Sequence, residues 1–342
     1  MELFLHFGIN TFAGVEWGSG QASPRLFNPT NLDCRQWVDV ARSGGALGAV
    51  LTVKHHDGFC LWPADTTDYS VRASPWQVGK GDVVREFADA CREAGLAAGL
   101  YLSPADLHEP SYGRDHAAYN EFFRRQLREL LTRYGEVSEI WFDGVTPGNL
   151  RQQHDWASYY RVIRELQPQT VIVTRGPDVR WVGNEAGIAR ESDWSVIPLP
   201  LPAADHDWPD MIGDLGSRAR WKDSNHAHWY PAVATVSLRP GWFWAPGEDH
   251  RLRERNELLR FHDQTVGRND GLLFNVPPDR TRCAVGTQST IPAFERFTPG
   301  PARPTFPGQT PLFLPWVSAR TAASPSCRSQ PADRGPRPPT GP

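Results

Sequence analysis

Ser138-Glu139-Ile140-Trp141-Phe142-Asp143-Gly144 is the stretch on which the reading of the fold turns. Three large apolar residues in succession, closed by a Gly- and Pro-bearing segment, predict a short β-strand. Successive strand side chains face opposite ways, so Trp141 and Asp143 share one face and Ile140 and Phe142 the other. The Ile-Phe face suits a covering helix. The other face sets a carboxylate at the C-terminal tip of a strand beside a large aromatic ring. In a β/α barrel that tip opens into the active site. The same residues also admit a plainer reading, a buried Asp capping the turn after the strand.

Strand and helix patterns alternate on both sides of this stretch. Leu3 to Asn10 predicts a first strand, with His6 and Gly8 on one face and Leu5, Phe7 and Ile9 on the other. Gly48 to Lys54, Leu96 to Ser103 and Val171 to Thr174 read as strands, and so do Tyr230 to Leu238 and Leu272 to Val276. Gly187 to Ser195 supplies a candidate sixth strand. Helical periodicity falls on Leu32–Arg42, Asp82–Gly95, His116–Tyr134, Trp156–Leu166 and Leu252–Val266. Residues 197–228 read as a long polar loop. Such alternation means parallel βαβ units, and eight of them suit an α/β (β/α)8 TIM-like barrel better than an open doubly wound sheet. No Gly-rich phosphate loop follows the first strand, which disfavours a dinucleotide-binding domain. The barrel is expected over residues 1–285, with its last helix incomplete. Residues 286–342 are rich in Pro, lack apolar periodicity and are expected to be a disordered tail.

The chain has 342 residues and a formal net charge of −3, enough for one large domain and without the basic patch of a nucleic-acid binder. No apolar run reaches the roughly 18 residues of a membrane span. Met1 is followed at once by the first strand pattern, with no signal-peptide pattern. The chain as given is therefore expected to be cytoplasmic, or secreted or periplasmic if a longer front end precedes it. The five Cys are scattered without a CxxC pair, which argues against a disulfide framework or a zinc site. Fourteen Trp and sixteen Phe are the compositional excess. Several fall near predicted strand ends, among them Trp17, Trp62, Trp141, Trp181, Trp242 and Trp244. Aromatics there suit stacking on sugar rings, or ordinary filling of core and surface.

Polar residues at or near the predicted strand tips are His6, His55, His56, Tyr101, Asp143 and Arg175, beside Trp141. Glu185 and Glu191 follow the fifth strand. His55-His56 invites a metal reading, but adjacent strand residues point apart and no further ligand has convincing spacing. Taken alone, Glu185 reads as a loop residue capping a turn, and Glu191 as a surface partner of Arg190.

Taken in order, a set of motifs resembles the α-L-fucosidases of glycoside hydrolase family 29. They are His6-Phe7-Gly8-Ile9-Asn10-Thr11-Phe12, Glu16-Trp17-Gly18, Lys54-His55-His56-Asp57-Gly58-Phe59-Cys60-Leu61-Trp62, Thr67-Asp68-Tyr69-Ser70 and Trp141-Phe142-Asp143-Gly144. Further along come Trp181-Val182-Gly183-Asn184-Glu185, Arg239-Pro240-Gly241-Trp242-Phe243 and Val266-Gly267-Arg268-Asn269. The variants resemble the branch that prefers α-1,3 and α-1,4 linked fucose. The resemblance implies a fucosylated oligosaccharide or glycoconjugate as substrate, and no cofactor or metal. It also implies a retaining mechanism with Asp143 as nucleophile and Glu185 as acid/base, Glu191 being the fallback. It further implies that His6, His55, His56, Glu16 and Trp17 bind the sugar hydroxyls. Trp141 would shape the pocket, Trp62 would line the sugar's methyl group, and Tyr101 and Arg175 would lie near the nucleophile. Val233 and Thr235 stand where family members often carry acids. That departure motivates a rival reading, a non-catalytic fucose-binding barrel. A metal-dependent hydrolase built on His6, His55 and His56 is a third.

Overall fold

The computed structural model describes residues 1–143, 150–191, 193–199, 221–222, 224 and 226–280. The turn after Asp143, most of the polar loop, the expected barrel limit at residue 285 and the Pro-rich tail lie outside the described residues.

The strands in chain order are β1 (Glu2–Leu5), β2 (Gly48–Lys54), β3 (Ala97–Leu102), β4 (Glu139–Phe142), β5 (Val171–Thr174), β6 (Arg180–Trp181), β7 (Val196–Leu199), β8 (His226–Trp229), β9 (Ala232–Ser237) and β10 (Gly271–Asn275). Eight of them form one sheet in the order β5-β4-β3-β2-β1-β10-β9-β6, every pair parallel. A parallel bridge from Val173 to Val179 and a Thr174 N–H bond to the Val179 carbonyl at 2.9 Å bring the two end strands together. The sheet is thus a nearly closed barrel. β7 and β8 pair antiparallel in a separate two-stranded sheet.

The helices are α1 (Ile9–Ala13), α2 (Cys34–Ser43), α3 (Val83–Ala94), α4 (His116–Arg133), α5 (Trp156–Leu166) and α6 (Arg255–Thr265). One local device starts four of them. Asp33, Asp82, Asp115 and Asp155 each accept the backbone N–H three residues on, from Gln36, Arg85, Ala118 and Ser158. Such a cap satisfies an orphan donor and puts negative charge at the positive end of the helix dipole. At the other end of α3, Gly95 takes the left-handed conformation that closes a helix, φ 70°.

Alternation along the strands divides the core in two. Phe4, Val50, Tyr101, Trp141, Val173, Val233 and Leu273 form one buried cluster, with Trp181 packed against it, so that each barrel strand contributes one residue to a ring inside the barrel. Ile140, Phe142, Leu51, Leu100 and Phe274 face the other way and join the apolar faces of the helices. The Ile140/Phe142 and Trp141/Asp143 division predicted from alternation is therefore found.

Several expectations fail. Both ends of the expected polar loop 197–228 are strands, β7 and β8. β1 stops at Leu5, because the chain leaves the sheet at His6 and enters α1 at Ile9. Thr52 of β2 makes the exit possible: its Oγ1 accepts the Phe7 N–H at 3.1 Å and lies 3.0 Å from the Phe7 carbonyl oxygen. The sixth strand is Arg180–Trp181, not Gly187–Ser195. There the side chain of Asn184 binds the N–H groups of Ala186 and Ile188 and the carbonyl of Ile188, closing a turn in place of a ladder. Finally, Trp62 is wholly buried in the outer core. Its Nε1–H donates to Glu129 Oε2 at 2.7 Å, so it serves the seam between the loop after β2 and α4.

Trp62→Phe removes that donor and leaves a buried carboxylate short of one partner. It should lower the unfolding free energy by about 1–3 kcal/mol. The check is urea denaturation at neutral pH, and an unchanged midpoint would contradict the assignment.

Candidate active site

The site is built at the C-terminal rim, from residues just beyond the strands. Asp143 follows β4 directly, and its neighbours come from β2 and β3. Tyr101 on β3 stands in register beside Trp141. Its hydroxyl donates to Asp143 Oδ2 at 2.9 Å. Burial, and then the charge of Asp143, hold the Tyr101 phenol well above its usual range, so it remains a donor. His56 Nε2 lies 3.6 Å from the same carboxylate oxygen.

His55 and His56 follow Lys54, the last residue of β2, so strand alternation does not govern them. The expectation that they point apart fails: their ring centroids lie 4.2 Å apart. His55 stacks on Tyr101, with centroids 5.8 Å apart and planes at 14°. His6 lies against both, 5.9 Å from each ring. Trp17 stacks on His56 at 5.0 Å, although it is 52% exposed.

Hydrogen-bond bookkeeping orients two of these imidazoles. The Nδ2 amide of Asn275 donates to the Trp242 carbonyl and to Ser237 Oγ, both at 2.8 Å. Its Oδ1 therefore faces His6 Nδ1 at 2.9 Å, which makes Nδ1 the donor and leaves Nε2 as an acceptor. The Ser103 hydroxyl donates to the Ala105 carbonyl at 2.8 Å, so its oxygen accepts from His56 Nδ1 at 2.6 Å. Burial pushes His6 down to about 3, with the Asn275 bond and the Asp143 charge acting against it. Burial also lowers His56, and lowers His55 well below its ordinary value. The three rings are neutral near pH 7, each able to donate from one nitrogen and accept at the other.

Glu16 closes the other side. Its Oε1 accepts the Trp242 N–H at 2.6 Å and its Oε2 the Phe243 N–H at 3.3 Å. Burial raises the Glu16 carboxyl above its usual range. The two amide donors act against the rise, and the charges of Glu248 and Glu185 add to it. Glu185 itself is exposed, in the turn that follows β6 at the same rim. Glu191 is exposed further along the same segment. Arg175 sits with its guanidinium carbon 5.9 Å from the centroid of Trp156 on α5.

Val233 belongs to the apolar ring inside the barrel, and Thr235 Oγ1 accepts the Trp181 indole N–H at 3.0 Å. Asn275, Ser103 and Ser237 join the site in addition to the residues singled out from the sequence, whereas Trp242 and Phe243 belong to the Arg239–Phe243 motif. Asn275 and Ser103 are polar residues at strand tips, the same signal that singled out His6 and Tyr101. The contacts with His6 show what Trp242 and Phe243 of that motif do in the site. Among the described residues no group of three or more His, Cys, Asp or Glu side chains is placed to hold a metal ion, and no helix is long and apolar enough to cross a membrane.

Fold and site together define a β/α barrel whose rim gathers carboxylates, neutral imidazoles and aromatic rings. The α-L-fucosidase family profile matches residues 3–189, more than half of the chain. The chain therefore belongs to the α-L-fucosidase family, glycoside hydrolase family 29. It is 44% identical over 301 residues to alpha-L-fucosidase 1 of Arabidopsis thaliana, covering 87% of this chain and 57% of that protein. A glycoside hydrolase 29 family member from an unknown rumen bacterium superposes with a TM-score of 0.75 at 40% identity, covering 85% of this chain and 54% of the other. A Ruminococcus gnavus GH29 fucosidase solved in complex with fucose gives 0.76 at 29% identity, covering 86% and 64%. The chain thus spans little more than half the length of the first two relatives.

Buried neutral histidines make stability pH-dependent. His6, with its proton affinity moved down to about 3, refuses a proton that the unfolded chain accepts near 6.5. Its contribution is present above about 6.5 and is lost as the pH falls towards 3, and His55 and His56 act in the same sense. Acids that burial holds above their usual range act the other way, because they keep a proton in the fold: Asp57, raised to about 6, Asp270, raised to about 7, and Glu16 and Glu139. His6→Gln removes the part of this pH dependence that His6 supplies, so the gap between the urea midpoints of parent and variant should narrow from pH 7 to pH 4.5. A variant profile parallel to the parent's would remove His6 from this account.

Proposed function

We propose that the chain is the catalytic barrel of a retaining exo-α-L-fucosidase that releases terminal α-1,3- or α-1,4-linked L-fucose from branched glycans. The observation that carries the reading is the setting of Asp143. It is a carboxylate at a barrel-strand tip that accepts from Tyr101, flanked by imidazoles whose free nitrogens suit sugar hydroxyls. In the first step Asp143 attacks the anomeric carbon and displaces the aglycone, whose oxygen takes a proton from Glu185. In the second, Glu185 draws a proton from water, which displaces Asp143 and returns the sugar with its original configuration. That sequence needs the two carboxyls about 5–5.5 Å apart. Glu185 is favoured over Glu191 because it lies in the turn directly after β6, near enough to Glu16 for their charges to interact. His6 and His56, each with its Nδ1–H tied to the protein, offer Nε2 to a hydroxyl proton. Tyr101 steadies the nucleophile before attack. The linkage preference rests on the motif variants alone.

The test uses an aryl α-L-fucoside and a branched fucosylated oligosaccharide. Asp143→Ala should lose about a thousandfold or more in kcat/KM, about 4 kcal/mol of transition-state stabilisation. Azide should restore turnover to Glu185→Ala and yield the azide adduct. Rescue of Glu191→Ala alone would transfer the acid/base role to Glu191. Fucose binding by calorimetry without turnover by the parent chain would make it a binding protein instead.

A further inference from the structure

The Glu16 carboxylate is engaged before any ligand arrives. Each of its oxygens takes one backbone N–H of the segment after β9, from Trp242 at 2.6 Å and from Phe243 at 3.3 Å. Charged acceptors make the stronger bonds of this kind. The preceding residue leaves the carboxylate its space: a Cβ on Gly241 would sit 2.8 Å from Glu16 Oε2. Two further ties hold the same segment. Ser237 Oγ donates to the Gly241 carbonyl at 2.7 Å, and Asn275 Nδ2 to the Trp242 carbonyl at 2.8 Å.

The side chains so placed are the wall of the imidazole cluster. The Trp242 ring lies 5.2 Å from His6 and 6.4 Å from Phe4. Phe243 meets His6 at 5.4 Å and His55 at 5.0 Å, edge to face in both cases. Glu16 belongs to the loop after α1 and Trp242 to the loop after β9, so the contact joins rim segments 226 residues apart in the chain.

We propose that Glu16 is a positioning residue whose carboxylate latches the Gly241–Phe243 segment to the rim and so holds the Trp242 and Phe243 rings against His6 and His55. The proposal rests on the fucosidase reading for its catalytic consequence, but the latch itself is a property of the free protein. A residue that only receives a sugar hydroxyl would leave these amides as they are.

The experiment is hydrogen exchange of the Trp242 and Phe243 amides in the ligand-free chain, with fucoside kinetics run in parallel. In Glu16→Ala both amides should exchange about tenfold faster or more, the loss of roughly one such bond each. Glu16→Gln keeps an acceptor oxygen and should fall between Ala and the parent. Gly241→Ala should reproduce the Glu16→Ala exchange without altering Glu16 itself, and it covers the case in which Glu16→Ala does not fold. In the kinetics Glu16→Gln should recover part of the kcat/KM lost in Glu16→Ala. Parent-like exchange in both Glu16→Ala and Gly241→Ala overturns the latch. Faster exchange in a chain that turns over no fucoside supports the latch and removes only the fucosidase reading.

Discussion

The hydrogen bond from Tyr101 to Asp143 is the contact on which the rim depends. A carboxylate set above an apolar barrel interior needs donors, since unpaired burial of such a charge is costly. The nearest imidazole cannot supply one while neutral, because His56 has committed its Nδ1–H to Ser103. The phenol can, and burial together with the anion it faces keeps it protonated. Among the described residues, no protein donor is fixed on the remaining nitrogens of His6 and His56. Acceptors poised in that way suit a ligand that brings several hydroxyl protons.

Everything below the rim serves to hold those groups in register. Tyr101 is placed by the β3–β4 pairing, Asp143 by the end of β4, and Asn275 by the end of β10 next to β1. The ring of apolar side chains across the barrel keeps the strands from shifting, because a slip of one residue would send Trp141 outward and Ile140 inward. Around the circumference the helix layer is uneven. α2 to α5 follow β1 to β4 in order, but no helix separates β5 from β6, and the β7–β8 pair intervenes before β9. Glu185 falls between β6 and β7, in a segment whose described residues are turns and irregular backbone.

Local rules were enough where the determinant is local. Asp at four helix starts, Gly95 at a helix end and two-residue alternation in Glu139–Asp143 all behave as short-range physics requires. Expectations failed where a distant group intervened. Thr52 lets the chain leave β1 after Leu5, and the Asn184 side chain bends the segment that was expected to be the sixth strand. Trp62 follows a rim motif, yet its indole N–H finds Glu129 on α4 and takes it into the core.

The sequence by itself determined the barrel class, the two faces of the β4 stretch and the motif order that marks the α-L-fucosidase family, since all of these are written in neighbouring residues and their periods. Only the tertiary structure decided which polar groups meet. The pairing of Glu16 with Trp242, of His6 with Asn275 and of Tyr101 with Asp143 depends on strand order and register. Those are set by the packing of the whole barrel, and no short stretch encodes them.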